Sequence, residues 1–287
     1  CGLKIGFIGA GKAGFSLGRF FVEGGVRVTG YYSRHPESGR EAAEITGTRF
    51  YNTLDEIVKD SDALLLTVPD GAIQSVYGRL CESALSGKQI CHCSGAMTAD
   101  EAFPGIETVG ACGYSIHPLF PFSDKLECYR ELPGAFFCIE GQGPHLPEWR
   151  ELLTGLGLRV QVISGERKAR YHAACAIASN LVCGLVQESL ELLEDCGFTS
   201  ETALEALTPL IRSNTAHILR EGPVQALTGP AERGDAETVA KHLACLPEGD
   251  RALYRAVSRK LAVMAETKHP ETDYTALETI LKEGRDV

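Results

Sequence analysis

Residues 3–14 read LKIGFIGAGKAG. Leu3, Ile5, Phe7 and Ile8 make a short apolar strand, and Gly9, Gly11 and Gly14 follow it as G-x-G-x-x-G. Each glycine answers a separate steric demand. Gly9 permits a tight turn out of the strand. Gly11, lacking a side chain, lets a pyrophosphate approach the backbone. Gly14 lets the next helix pack closely on the strand. That helix, over 12–24, has Phe15, Leu17, Phe20 and Phe21 as its apolar residues. Its N-terminus points at the phosphates, where unpaired N–H groups and the helix dipole favour anions. A second strand over 26–32 completes the βαβ context. Gly9, Ala10, Gly11, Lys12, Ala13 and Gly14 are therefore the expected cradle of a dinucleotide.

Further along, the second strand ends at Ser33 and Arg34, followed by His35. An acidic residue at this point would bind the ribose 2′-hydroxyl of NAD. A hydroxyl and a guanidinium suit a 2′-phosphate instead, so the expected cofactor is NADP. A helix over 37–45, a short strand over 48–51 and a short helix over 54–58 come next. Residues 63–68 (ALLLTV) are the continuous apolar run of a strand covered on both faces. Pro69-Asp70-Gly71 ends it and puts Val68 and Pro69 on a carboxyl-end loop, where doubly wound sheets bind ligands. A helix over 73–85 leads to a strand over 89–93 that ends in Ser94-Gly95, expected near the nicotinamide. A strand over 109–116 then gives way to a loop at His117. A histidine there donates to a substrate carboxylate or carbonyl, or else caps backbone groups. Strands over 134–140 and 158–163 flank a helix over 145–156.

From Ser164 onward strand-like runs stop. One long, largely apolar helix is expected over 166–196, with Gly197 as its stop. A second helix lies within 199–219, opened by a Thr or Ser cap, with Pro209 as a boundary or kink. Residues 221–234 are broken by Gly and Pro, and helices over 236–246, 250–267 and 273–282 follow. The expected fold is α/β: a Rossmann-type doubly wound sheet, followed by an all-helical C-terminal domain. The expected domains are 1–164, binding NADP, and 165–287, for substrate and dimerisation.

Bulk properties narrow the partners. A formal net charge of −10 argues against nucleic acid and anionic membranes, while a local basic site still admits a small anionic substrate. No apolar run approaches the ~20 residues of a membrane span, and no signal-like segment precedes the first strand, so a cytoplasmic location is expected. The 11 cysteines have no C-x-x-C spacing. Cys138, Cys175, Cys183 and Cys245 sit in apolar runs and read as reduced, buried thiols. Cys91-His92-Cys93 lacks a second ligand pair at zinc spacing, and no metal is expected.

The chain resembles the 6-phosphogluconate dehydrogenase-like superfamily, which includes β-hydroxyacid dehydrogenases, ketopantoate reductases and pyrroline-5-carboxylate reductases. It is more closely similar to Rossmann-like proteins with a DUF2520 domain. The resemblance rests on His92-Cys93-Ser94-Gly95-Ala96, His117-Pro118-Leu119, Tyr171-His172-Ala173-Ala174 with Ala178-Ser179-Asn180, and Ala226-Leu227-Thr228-Gly229-Pro230 with Arg233-Gly234-Asp235. These segments span almost the whole chain in order. The resemblance implies an NADPH-dependent reductase of a small 2-oxo acid, with ketopantoate favoured, and a homodimer formed through the helical domain. An imine reductase, or an NADP-binding sensor without turnover, is the alternative.

Relatives use a lysine on the first helix of the second domain, with an asparagine four residues on. Lys168 holds that place here, and His172 replaces the asparagine. At 100° per residue, Lys168, His172 and Ser179 lie within about 40° of one face, whereas Asn180 lies about 120° away. Asn180 joins them only if the cleft wraps around the helix or the helix is distorted. A lysine ammonium polarises a carbonyl and donates a proton, and a histidine titrates near neutrality. The candidate catalytic residues are thus Lys168, His172 and His117, and the candidate substrate contacts are Ser94, Asn180 and Thr228.

Overall fold

Strand β1 (Lys4–Ile8) leads into helix α1 (Lys12–Glu23). The chain continues through β2 (Arg27–Tyr32), α2 (Pro36–Thr46), β3 (Arg49–Phe50), α3 (Leu54–Asp60), β4 (Ala63–Leu66), α4 (Asp70–Leu80) and β5 (Gln89–His92). Then come α5 (Ala99–Ala102), β6 (Cys112–Leu119), β7 (Phe136–Glu140), α6 (Leu146–Gly155), β8 (Arg159–Val162) and α7 (Lys168–Ala178). The structure is a computed structural model and describes residues 2–282. The strands form one sheet in the order β3-β2-β1-β4-β5-β6-β7-β8. Strands β1 to β6 run parallel, β7 turns antiparallel to β6, and β8 runs parallel to β7. The strand order reverses between β1 and β4, which is where such sheets open a ligand crevice.

The residues of β4 show why both faces of this sheet are covered. Ala63 and Leu65 join one apolar layer with Phe7, Phe15, Phe21, Tyr31 and Trp149. Leu64 and Leu66 join the opposite layer with Ile57, Ile73, Tyr77 and Phe103. Successive side chains of a strand point to opposite faces, so an uninterrupted apolar run needs a layer on each. Trp149 closes the first layer, and its indole N–H donates to Gln89 Oε1 at 2.7 Å.

Three features differ from the sequence reading. His117 lies inside β6 and not at its end, because β7 pairs antiparallel with residues 115–119 and prolongs the strand; His117 faces Cys138 in register. The apolar helix expected over 166–196 is two helices. After α7 the backbone breaks at Ser179 (φ −123°, ψ −79°), whose hydroxyl donates back to the Cys175 carbonyl at 2.7 Å. The chain divides into its two compact units at this break, between Ser179 and Asn180. Helix α7, expected with the helical half, thus belongs with the sheet, to which Lys168 and Tyr171 are hydrogen-bonded.

The second unit contains α8 (Asn180–Asp195), α9 (Ser200–Glu221), α10 (Pro223–Ala226), α11 (Ala236–Cys245), α12 (Glu248–Lys268) and α13 (Thr275–Lys282). Thr199 caps α9, and that helix runs on through Pro209 rather than stopping there. Val239, Leu243, Ala262, Ala265, Leu277 and Leu281 form its core between α11, α12 and α13. Cys183 and Cys245 are exposed and Cys175 is half-buried, where burial was expected: Cys183 lies on α8, which buries no residue, and Cys245 faces outward from α11 while its neighbours Leu243 and Leu246 turn into the core. The stretch 165–195 is, by length and composition, apolar enough to cross a membrane. The sequence reading counted unbroken apolar runs and so passed over 171–187, whose interruptions include no Asp, Glu, Lys or Arg. The break at Ser179 leaves helices of 11 and 16 residues, each shorter than the ~20 of a span.

Candidate active site

The glycine turn has the geometry its spacing implied. Gly9 has φ +112°, and a Cβ there would meet the Thr67 carbonyl at 2.9 Å. A Cβ on Gly14 would collide with the Thr67 hydroxyl and the Gly9 carbonyl, whereas one on Gly11 would meet nothing. Gly9 and Gly14 are therefore steric necessities of the turn, and Gly11 leaves an open approach. Helix α1 has no side-chain cap at Gly11, so its first-turn N–H groups are available to an anion. The residues present fit the pyrophosphate of a dinucleotide. Lys12 is exposed and donates to the Ser123 carbonyl at 2.8 Å, which draws the 120–126 loop toward the turn. Ala10 is buried and Ala13 is half-buried.

At the carboxyl end of β2, Ser33 accepts the His35 N–H at 3.2 Å, and Arg34 is exposed. Arg79 donates to the Tyr32 hydroxyl at 3.1 Å. This rim carries guanidinium groups and no acid before Glu37, a setting suited to a phosphate. Val68 and Pro69 follow β4 at the same edge, and Pro69 caps α4.

The chemistry gathers where β5 ends beside β6. His92, the last residue of β5, is in register with Ser115, so His117 stands two residues beyond β5's carboxyl end. The intervening loop is fixed by Ser94. Its hydroxyl donates to Asp70 Oδ2 at 2.6 Å and accepts the Ala96 and Met97 N–H groups at 3.2 and 3.1 Å. His92 accepts the Ser94 N–H on Nδ1 at 3.1 Å and donates from Nε2 to the Thr98 carbonyl at 3.3 Å. It is thus a neutral imidazole, and burial depresses its pKa to about 3.

Helix α7 lies over this loop. Lys168 has 0% exposure, and its ammonium donates to the Ser115 hydroxyl, which in turn donates to the Ser94 carbonyl at 3.3 Å. Burial lowers the Lys168 pKa, against the opposing pull of Glu140, the Cys138 and Cys93 thiols, and Asp70. Glu140 is itself buried, accepts the Ala99 N–H at 2.9 Å and has its pKa raised by that burial. One turn on, the Tyr171 hydroxyl sits 2.7 Å from His117 Nδ1, with the rings edge-to-face. The His172 and His117 rings are 6.4 Å apart. A Cβ on Gly95 would lie 2.7 Å from His172 Cδ2 and 2.8 Å from His117 Nε2, so only glycine lets both imidazoles close over this loop. Burial, with Lys168 and His172 nearby, depresses the His117 pKa to about 4.

The structure therefore brings Ser94, His117, Lys168 and His172 together. Lys168 is sealed from solvent, and the Ser94 hydroxyl is engaged by the loop itself. Asn180 opens α8, and Thr228 is exposed after α10, both in the second unit. Sequence reasoning did not single out Tyr171, Asp70, Ser115 or Glu140. For Tyr171 the signal was a polar residue three positions after Lys168 on an Ala-rich helix.

Residues 4–94 match the family described as NADP oxidoreductase, coenzyme F420-dependent, and residues 135–261 match the domain of unknown function DUF2520. Comparison with curated proteins finds no match. Among solved structures, protein TM1727 from Thermotoga maritima is 28% identical, with a TM-score of 0.73 over 92% of this chain and 99% of its own. A reductive aminase from Aspergillus terreus, solved with NADPH and ethyl-5-oxohexanoate, is 16% identical, with a TM-score of 0.61 over 99% of this chain and 96% of its own. An imine reductase variant from Myxococcus stipitatus, solved with NAD+, is 18% identical, with a TM-score of 0.61 over 98% and 99%. The last two likenesses establish the fold alone. The glycine cradle, the sheet order and the two matched families agree: the chain is a Rossmann-like protein with a DUF2520 domain, built on a pyridine-nucleotide-binding oxidoreductase fold.

Proposed function

We propose that this protein reduces a small 2-oxo acid with NADPH, and that 2-dehydropantoate (ketopantoate) is the favoured substrate. One observation carries the reading: proton-bearing side chains, His117 and Tyr171, stand at the same carboxyl edge of the sheet as an open dinucleotide cradle. Bound NADPH supplies a hydride. The Gly9–Gly14 turn and the first amides of α1 hold its pyrophosphate, and Ser33 and Arg34 hold its 2′-phosphate. The buried positive charge of Lys168 beneath the site favours an anionic substrate and steadies the negative charge that develops on the reduced oxygen. His172 and Ser94 border the same spot. The ten described cysteines are free, which suits a reducing compartment, and the cytoplasm is the proposed location. A second copy of the chain is the proposed partner.

The test is NADPH oxidation followed by absorbance with 2-dehydropantoate, other small 2-oxo acids and cyclic imines such as pyrroline-5-carboxylate. Turnover of 2-oxo acids, fastest with 2-dehydropantoate, is expected. Turnover of imines alone, or tight NADPH binding with no turnover, overturns the reading.

A further inference from the structure

We propose that Tyr171, held by His117, is the group that protonates the nascent alcohol oxygen, and that Lys168 serves it from beneath as a positioning residue. The inference rests on the reductase reading above. It stands on three pieces of geometry. Lys168 has no exposed surface, and its ammonium is directed at Ser115, so a substrate cannot reach it without dismantling the Ser94 loop. Tyr171 and His117 are both half-buried, so a ligand can reach them, and they are hydrogen-bonded at 2.7 Å. Nε2 of His117 faces the same side of Gly95 as the ring of exposed His172, which leaves a route for protons from solvent.

Hydride addition to the carbonyl carbon sends the C=O π pair onto oxygen. That oxygen takes the phenolic proton of Tyr171. The Tyr171 oxygen takes the Nδ1 proton of His117, and His117 recovers one from solvent on Nε2. The imidazole ends neutral, as its other tautomer, and one solvent proton has been consumed. The route starts from neutral His117 with its proton on Nδ1, so that the Tyr171 O–H points at the substrate and not at the imidazole.

The surroundings favour that state. Facing His117 are Lys168, Tyr171 and His172 of α7, Cys138 of β7, Asp70 of α4 and His92 of β5. Burial and the Lys168 charge keep His117 neutral down to a pKa of about 4, against a small opposing pull from Asp70. Burial, with the Cys138 and Cys175 thiols, pushes the Tyr171 pKa up, so the phenol is intact at any working pH.

The deciding experiment pairs kinetics with a measurement that needs no substrate. On a 2-oxo acid that the wild type reduces, Tyr171→Phe should lower kcat ~10²–10⁴-fold, the usual loss on removing a general acid, with NADPH affinity unchanged. Lys168→Met should raise the His117 titration midpoint, with burial still holding it below the ordinary value, and Lys168→Arg should keep it low. Nitrogen NMR of labelled His117 should show the proton on Nδ1, with a titration midpoint that rises in Lys168→Met. Undiminished kcat in Tyr171→Phe overturns the proposal, and so does a proton on Nε2. If the wild type reduces no 2-oxo acid while the NMR results hold, the donor arrangement stands and only the substrate reading fails.

Discussion

At the scale of single residues, the site is a group of polar side chains withdrawn from water, and acid should reveal it. His92 and His117 have pKa values near 3 and 4 in the folded protein, against about 6.5 for a free imidazole. Below pH ~6.5 the unfolded chain binds two protons that the folded chain refuses. Stability is therefore complete above pH ~6.5 and falls as pH drops toward about 4, by up to ~1.4 kcal/mol per pH unit for each histidine. Glu140 opposes this within its own titration range, since burial raises its pKa and makes its neutral form easier to keep. Thermal melts between pH 7 and 4 should show a steep fall, and His92→Asn should flatten it by about half. A melting temperature indifferent to pH over that interval would mean that these imidazoles are not held neutral.

Among the elements, the turn after β2 makes the sharpest claim. Arg34 stands exposed at the β2–α2 junction beside Ser33, with no acid before Glu37. NADPH should bind at least ~10-fold more tightly than NADH, because a charged hydrogen bond to the 2′-phosphate is worth ~1.5–3 kcal/mol. Arg34→Ala should remove most of that preference, read by fluorescence titration with each cofactor. Equal affinities in the wild type would sink the claim. The place of this turn was legible because it is local: strand, turn and helix follow one another along one stretch of chain. The same holds for the glycine turn and for β4, whose apolar run declares a two-faced layer. Elements set by distant pairing were not legible. The sequence ends this strand at 116, with a loop from His117, yet β7 pairs beyond it and carries β6 on to Leu119. The break at Ser179 is a backbone event within an Ala- and Leu-rich run whose composition speaks only for helix. Tyr171 stayed hidden for the same reason, since its partner His117 lies 54 residues away in the chain.

For the whole molecule, the outstanding feature is apolar surface. Helix α8 buries no residue and α9 buries only Ala203, although both carry long apolar side chains. Leu219 is 81% exposed, Leu210 65% and Leu181 57%. Scattered exposed leucines are ordinary, but so many on two consecutive helices exceed what a monomer leaves in water. A second copy of the chain meeting these helices would cover them, and a stable pair needs roughly 1,000 Å² or more of buried surface. Light scattering at micromolar concentration should therefore give twice the chain mass. Leu210→Glu and Leu219→Glu, which place charges on α9, should shift the protein toward monomer without disturbing the sheet, so NADPH should still bind. The stretch 165–195 suggests a membrane as the rival cover. It predicts a different pair of results: a monomer in detergent, and co-flotation with lipid vesicles that Leu181→Glu, within that stretch, abolishes. A monomer that ignores vesicles would defeat both covers and leave the apolar helices to a partner other than this chain.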